Sequence, residues 1–214
     1  MRDIPVFTTN YGVASLTLRE IPYKKIAYIR LQATQEPKEL LHECVSFCRA
    51  CGAERVYATG HEFLSAYPLH TEIWEMTCGA DRMPETDAAL FPLQESTLSL
   101  WLEHYNSRMA DVPNAATMTA SDGEKLLKEG SGYFVHKGEI LQGIGKAAQD
   151  RIDAVVSLVP QGGREVVAAL SHGLTEDIIR VEVASENKRA VRLYEKLGFL
   201  KTSQIATWFT VFNF

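Results

Sequence analysis

The sequence predicts a mixed α/β protein with a central sheet flanked by helices, and three observations carry that expectation. Short runs rich in Val, Ile and aromatic residues alternate with runs whose apolar residues recur at helical spacing. Residues 183–199 contain a strand exit, an amphipathic helix and a helix stop in one unbroken segment. Strands and helices follow one another along the whole chain, the pattern of a sheet covered by helices.

Taken in order, residues 13–19 and 26–32 read as strands, separated by the polar turn Tyr23-Lys24-Lys25. Pro37 suits the first turn of a helix that ends at Cys51 with Gly52 as its stop, and residues 55–59 form the next strand. Residues 70–76 are a further strand candidate with imperfect alternation. The polar stretch 78–87, carrying Gly79 and Pro84, is the best boundary, so the expected division is an N-terminal α/β unit over 1–80 and a second domain over 86–214. Helices are then expected at about 96–109 and 122–128, and strands at 131–136, 139–146 and 152–159. A short helix at 164–171, a strand at 178–183, the helix after Asn187 and a last strand at 204–212 complete the chain.

With 214 residues, 46% of them apolar, the chain can bury a substantial core. A net charge of −5 without a long Lys/Arg cluster argues against nucleic acid and anionic membranes as partners, leaving small molecules or peptides; a homodimer stays open. Residues 1–5 show no export signal, and no apolar run approaches the roughly 20 residues of a membrane span, so the expected location is the cytoplasm.

Cys44, Cys48 and Cys51 stand at a spacing that could hold three irons of an iron–sulfur cluster. Their surroundings read as a helix whose broad apolar face includes Leu40, Leu41, Val45 and Phe47, so buried, reduced thiols are expected instead. Neither the cysteines nor the six histidines suggest a metal site. Gly143-Ile144-Gly145-Lys146 lacks the first glycine and final Ser/Thr of a phosphate-binding P-loop, and glycines in a strand more often mark a bulge or close packing.

In residues 183–199, Ala190, Leu193, Tyr194 and Leu197 share one helical face, while Lys188, Arg189, Arg192, Glu195 and Lys196 project elsewhere. Asn187 can cap the helix, and Gly198 fits the left-handed position past its end. Capping and packing account for each residue type separately. The whole run, Val183-x3-Asn187-x2-Ala190-Val191-x-Leu193-Tyr194-x3-Gly198-Phe199, resembles the final helix of the GCN5-related N-acetyltransferase (GNAT) superfamily.

The resemblance implies a GNAT-like acyl-CoA N-acyltransferase fold, with residues 26–59 similar to its central half and hence a partial GNAT-like N-terminal unit. A generic strand–helix–strand unit would read the same way. It implies acetyl-CoA as co-substrate, no metal, and transfer of the acetyl group to a primary amine on a small molecule or peptide. Leu158, Val159, Gly162, Gly163, Arg164, Glu165, Asn187 and Tyr194 fall where the family binds coenzyme A. Tyr194 corresponds to the acid that protonates the leaving thiolate, and Glu182 resembles the base of the ribosomal-protein alanine acetyltransferases; an alternating strand would also point Glu182 to solvent. The phosphate loop departs from the family's Q/R-x-x-G-x-G/A. Counted from Gln161, its glycines are replaced by Arg164 and Val166; counted back from Leu170, by Glu165 and Val167. A catalytically lapsed ligand-sensing or protein-interaction module is therefore the alternative expectation.

Overall fold

The computed structural model describes residues 3–213, which divide into two compact units. The first runs to Glu72 and takes up the chain again from Ile205; the second spans Ile73–Gln204.

In the first unit, β1 (Ile4–Thr9), β2 (Gly12–Thr17) and β3 (Ile26–Thr34) form an antiparallel meander, with the short helix α1 (Ile21–Lys24) between β2 and β3. Helix α2 (Pro37–Ala50) then returns the chain so that β4 (Arg55–Thr59) pairs in parallel with β3. Pro37 occupies the start of α2, where its missing N–H costs no helical bond. Leu40, Leu41, Cys44 and Cys48 form the buried stripe of this helix and pack with Leu16, Ile29 and Val56. Cys44 and Cys48 are thus free, fully buried core residues, and burial pushes both thiols up to about 12.

The second unit contains the end of β5 (Leu69–Gly79), β6 (Ala89–Pro92), α3 (Leu98–Met109), α4 (Ala120–Glu129), β7 (Gly132–Lys137), β8 (Ile140–Ala148) and β9 (Arg151–Ser157). It continues through α5 (Gly163–His172), β10 (Ile178–Ala184) and α6 (Lys188–Lys196). Its sheet runs β5-β10-β9-β8-β7-β6, antiparallel throughout except for β9 and β10. Side-chain alternation makes two cores from this sheet. Val135, Ile152 and Val181 pack with Val166 and Leu170 of α5 and Tyr194 of α6; Phe134, Ile144 and Val156 pack with Trp101 and Tyr105 of α3 and Leu126 of α4.

The chain divides at residues 72 and 73, not within 80–86, because β5 pairs with β10 residue by residue from Ile73 to Gly79. The polar stretch after it, with a single 3₁₀ turn at Ala80–Arg82, is a loop inside the second unit. The last strand, β11 (Leu200–Asn213), starts in the second unit, but residues 205–213 belong to the first, where Phe209–Asn213 pairs with β4. Strands β1 and β6 have no counterpart in the expected elements; each is short and carries a proline, Pro5 or Pro92, a residue confined to sheet edges. Among the described residues no helix is long and apolar enough to cross a membrane.

Candidate functional site

The site starts where two parallel strands stop pairing. Strands β9 and β10 match only at Arg151↔Arg180 and Ile152↔Val181, with the Arg180 N–H donating to the Asp150 carbonyl at 2.7 Å. Asp153 is then the extra residue of a bulge, since Ile152 opposes Ala147 and Ala154 opposes the adjacent Lys146. Beyond it, β9 pairs only with β8, and β10 only with β5. The strands part, and two adjoining cavity lobes of about 240 and 290 Å³ open along the gap. Both lobes are lined by Met109, Val112, Val155, Asn187, Ala190 and Tyr194.

The first lobe is bounded by the turn into α5 and by α6. Gln161 holds a left-handed backbone, φ 63°, that turns the chain into the helix. Gly163 keeps the start of α5 close to α6, because a Cβ there would stand 3.0 Å from Leu193 Cδ2. The first N–H groups of a helix lack internal acceptors and carry its positive dipole end, so this turn suits an anion. Arg164, Arg189 of α6 and Arg108 of α3 line the same lobe. Three arginines and no Asp or Glu therefore line it, and none of the three is ion-paired among the described residues.

Of the residues expected to bind a cofactor, Gly163, Arg164, Asn187 and Tyr194 line this lobe, and Leu158, Val159, Gly162 and Glu165 do not. Leu158 packs against the apolar cluster that contains Trp101 and Val156. The Val159 carbonyl accepts from Ser157 Oγ at 2.7 Å and from the Gly162 N–H at 3.1 Å. Gly162 is required by packing, since a Cβ would lie 2.8 Å from the Gln142 carbonyl oxygen. Glu165 accepts from Thr86 Oγ1 at 2.6 Å and pairs with Lys137 at 3.4 Å.

Tyr194 borders both lobes. Its ring packs 5.5 Å from Phe199, while its hydroxyl makes no side-chain hydrogen bond among the described residues. Burial pushes that hydroxyl up to about 12, so it stays protonated near neutrality. Asn187 caps α6, its Oδ1 accepting from the Ala190 N–H at 3.2 Å.

Glu182 and Asp153 both line the second lobe. Arg151 pairs with Glu182, and Lys146 with Asp153 at 2.9 Å. Arg108, Arg189 and Asp153 were not legible as site residues in the sequence. Arg189 stands two positions after Asn187, the only available signal; Arg108 and Asp153 are delivered by helix packing and by the bulge.

No protein-family model matches the sequence, and no curated protein matches it. Solved structures do. A GCN5-related N-acetyltransferase from Sphaerobacter thermophilus superposes with a TM-score of 0.60 at 13% identity, over 92% of this chain and 76% of that one. A tandem GNAT protein from the clavulanic acid biosynthesis pathway matches at 0.52 and 11% identity, over 95% of this chain and 80% of that one. The chain has the GNAT fold. A functionally unknown conserved protein from Staphylococcus epidermidis matches at 0.60 and 10% identity, over 97% and 93% of the two chains. Within this GNAT fold, the parted strands are β9 and β10, and the helix that follows the first of them is α5.

Proposed function

We propose that the protein is an acetyl-CoA-dependent N-acetyltransferase acting on a primary amine by direct transfer. The observation that carries the reading is the gap between β9 and β10, beside an arginine-lined lobe that Tyr194 also lines, its hydroxyl without a side-chain hydrogen bond among the described residues. Arg108, Arg164 and Arg189 fit the phosphates of acetyl-CoA, with the α5 N-terminus beside them. Side-chain charge then takes over part of what the family's glycine loop does with backbone N–H groups. On this reading the thioester arm lies in the gap between the strands.

In the reaction, the amine nitrogen attacks the thioester carbonyl and the C–S bond breaks. Tyr194 gives its proton to the departing thiolate, and the proton lost from the amine goes to a base on the side of the second lobe. On this reading Glu182, which lines that lobe with Asp153, is the base, and Arg151 engages one of its oxygens. The first unit is, on this reading, a partial repeat of the same strand–helix–strand core.

Calorimetry with the intact chain is expected to show saturable acetyl-CoA binding, weakened in Arg164→Ala by about 1–3 kcal/mol, the range for a lost charge-assisted bond. No saturable heat at millimolar acetyl-CoA overturns the reading. The altered glycine positions at Arg164 and Val166 favour one other reading, a lapsed module. Binding without transfer to any of a panel of primary amines would establish it.

A further inference from the structure

We propose that Asn106, which lines neither lobe, is a positioning residue for the donor site: its side-chain amide closes the loop between α3 and α4, and that loop borders both lobes. The inference rests on the acetyl-transfer reading and adds to it a residue that acts through its neighbours.

The segment from the last turn of α3 through residues 110–119 forms one side of the site. Arg108 lines the first lobe, Met109 and Val112 line both, and residues 113–116 line the second. Ala110, at the end of α3, keeps a right-handed backbone, φ −52°, so no left-handed cap turns the chain there. The position of Arg108 and Val112 therefore depends on what draws the segment back.

Asn106 does so. Its Nδ2 donates to the Met118 carbonyl at 2.9 Å and its Oδ1 accepts from the Met118 N–H at 2.8 Å, joining residues 12 positions apart. A planar amide that engages both backbone groups of one residue leaves that residue little freedom to rotate. Met118 is in turn followed by the cap of α4, where Thr119 Oγ1 accepts from the Asp122 N–H at 3.3 Å and Asp122 Oδ2 accepts from the Thr119 N–H at 2.9 Å. The far end of the loop is thus tied to α4 by the cap and to α3 by Asn106. Without the amide, residues 107–117 can open locally between these anchors, and Arg108, two positions after Asn106, is no longer held at the lobe it lines.

The test combines proteolysis with a double-mutant cycle on the intact protein. Asn106→Ala removes the amide and keeps a strong helix former in a half-buried position, so α3 is expected to persist. Between Arg108 and Lys125 the chain has no other Lys or Arg, so tryptic cleavage after Arg108 reports opening of this loop; it is expected to be about tenfold faster in the variant. Calorimetry is expected to show acetyl-CoA bound about tenfold more weakly by Asn106→Ala, but no more than about twofold more weakly when the same change is made in Arg108→Ala, because the lost contact is then already absent. A bond that only stabilised the fold would lower the melting temperature and leave the affinity of the folded protein, and its coupling to Arg108, unmoved. Unchanged cleavage, unchanged acetyl-CoA affinity in Asn106→Ala, or a tenfold loss that persists in the Arg108→Ala background overturns the proposal and leaves the acetyl-transfer reading standing as long as the wild type binds acetyl-CoA. If the wild type binds none, the transfer reading falls, and the positioning role with it.

Discussion

Tyr194 is the residue at which packing and chemistry can be separated, because its ring is held against Phe199 while its hydroxyl serves no side-chain hydrogen bond among the described residues. Tyr194→Phe keeps the ring volume, so the melting temperature and acetyl-CoA affinity are expected to stay near wild type. Loss of a positioned acid typically costs 10²–10⁴-fold, and at least a tenfold slower transfer rate is the expected result with any amine the enzyme accepts. An unchanged rate would make Tyr194 a core aromatic. The residue was legible because one helix carries its whole context, from the Asn187 cap to Gly198. Glu182 was legible only by half: strand alternation shows that it points outward, but its cation, Arg151, is a neighbour across the sheet 31 residues earlier in the chain.

At the scale of elements, the glycines of β8 explain how α5 reaches its position. A Cβ at Gly143 would lie 2.1 Å from the Val156 carbonyl oxygen and 2.7 Å from Val166 Cγ2; at Gly145 it would lie 2.3 Å from Leu170 Cδ1. Of the two expectations drawn from glycines in a strand, a bulge or close packing, these distances show close packing at both positions. The two clashes are not equivalent, since the end of a leucine can swing aside and a ladder carbonyl cannot. Gly143→Ala is therefore expected to cost about 1–3 kcal/mol or more in urea unfolding, and Gly145→Ala clearly less. The reverse order would show that α5, not the strand pairing, sets the spacing. The strands themselves were legible from β-branched runs, whereas the end of pairing was not. In the first unit, β3 and β4 remain in register from Ile26↔Arg55 to Arg30↔Thr59, while β9 and β10 part after two pairs. That difference arises from the Asp153 bulge, which depends on a partner strand and leaves no local pattern.

At the scale of the molecule, the order of helices and strands was readable, but the division of the chain was not, because residues 205–213 return to the first unit through pairing with β4, about 150 positions earlier. Long-range pairing of this kind has no signature in local composition. Each unit nevertheless has a buried core, and both cores hold groups that must stay protonated. Cys44 and Cys48 in the first unit are pushed from 9.0 to about 12 by burial, Tyr194 in the second is pushed up to about 12, and burial also raises Tyr28 and Cys78. The sign follows from linkage. Above about pH 9 the unfolded chain releases its thiol protons while the folded chain retains them, so stability is fully present below that pH and falls as pH rises from about 9 towards 12. Urea midpoints measured under reducing conditions should accordingly be level up to about pH 8.5 and decline above it. Replacing both thiols, Cys44→Ala with Cys48→Ala, should lower the midpoint at every pH by leaving small cavities, yet remove most of the decline up to about pH 10, where tyrosine ionisation takes over. A double variant that declines as steeply as the wild type between pH 8.5 and 10 would place the alkaline sensitivity outside the α2 core.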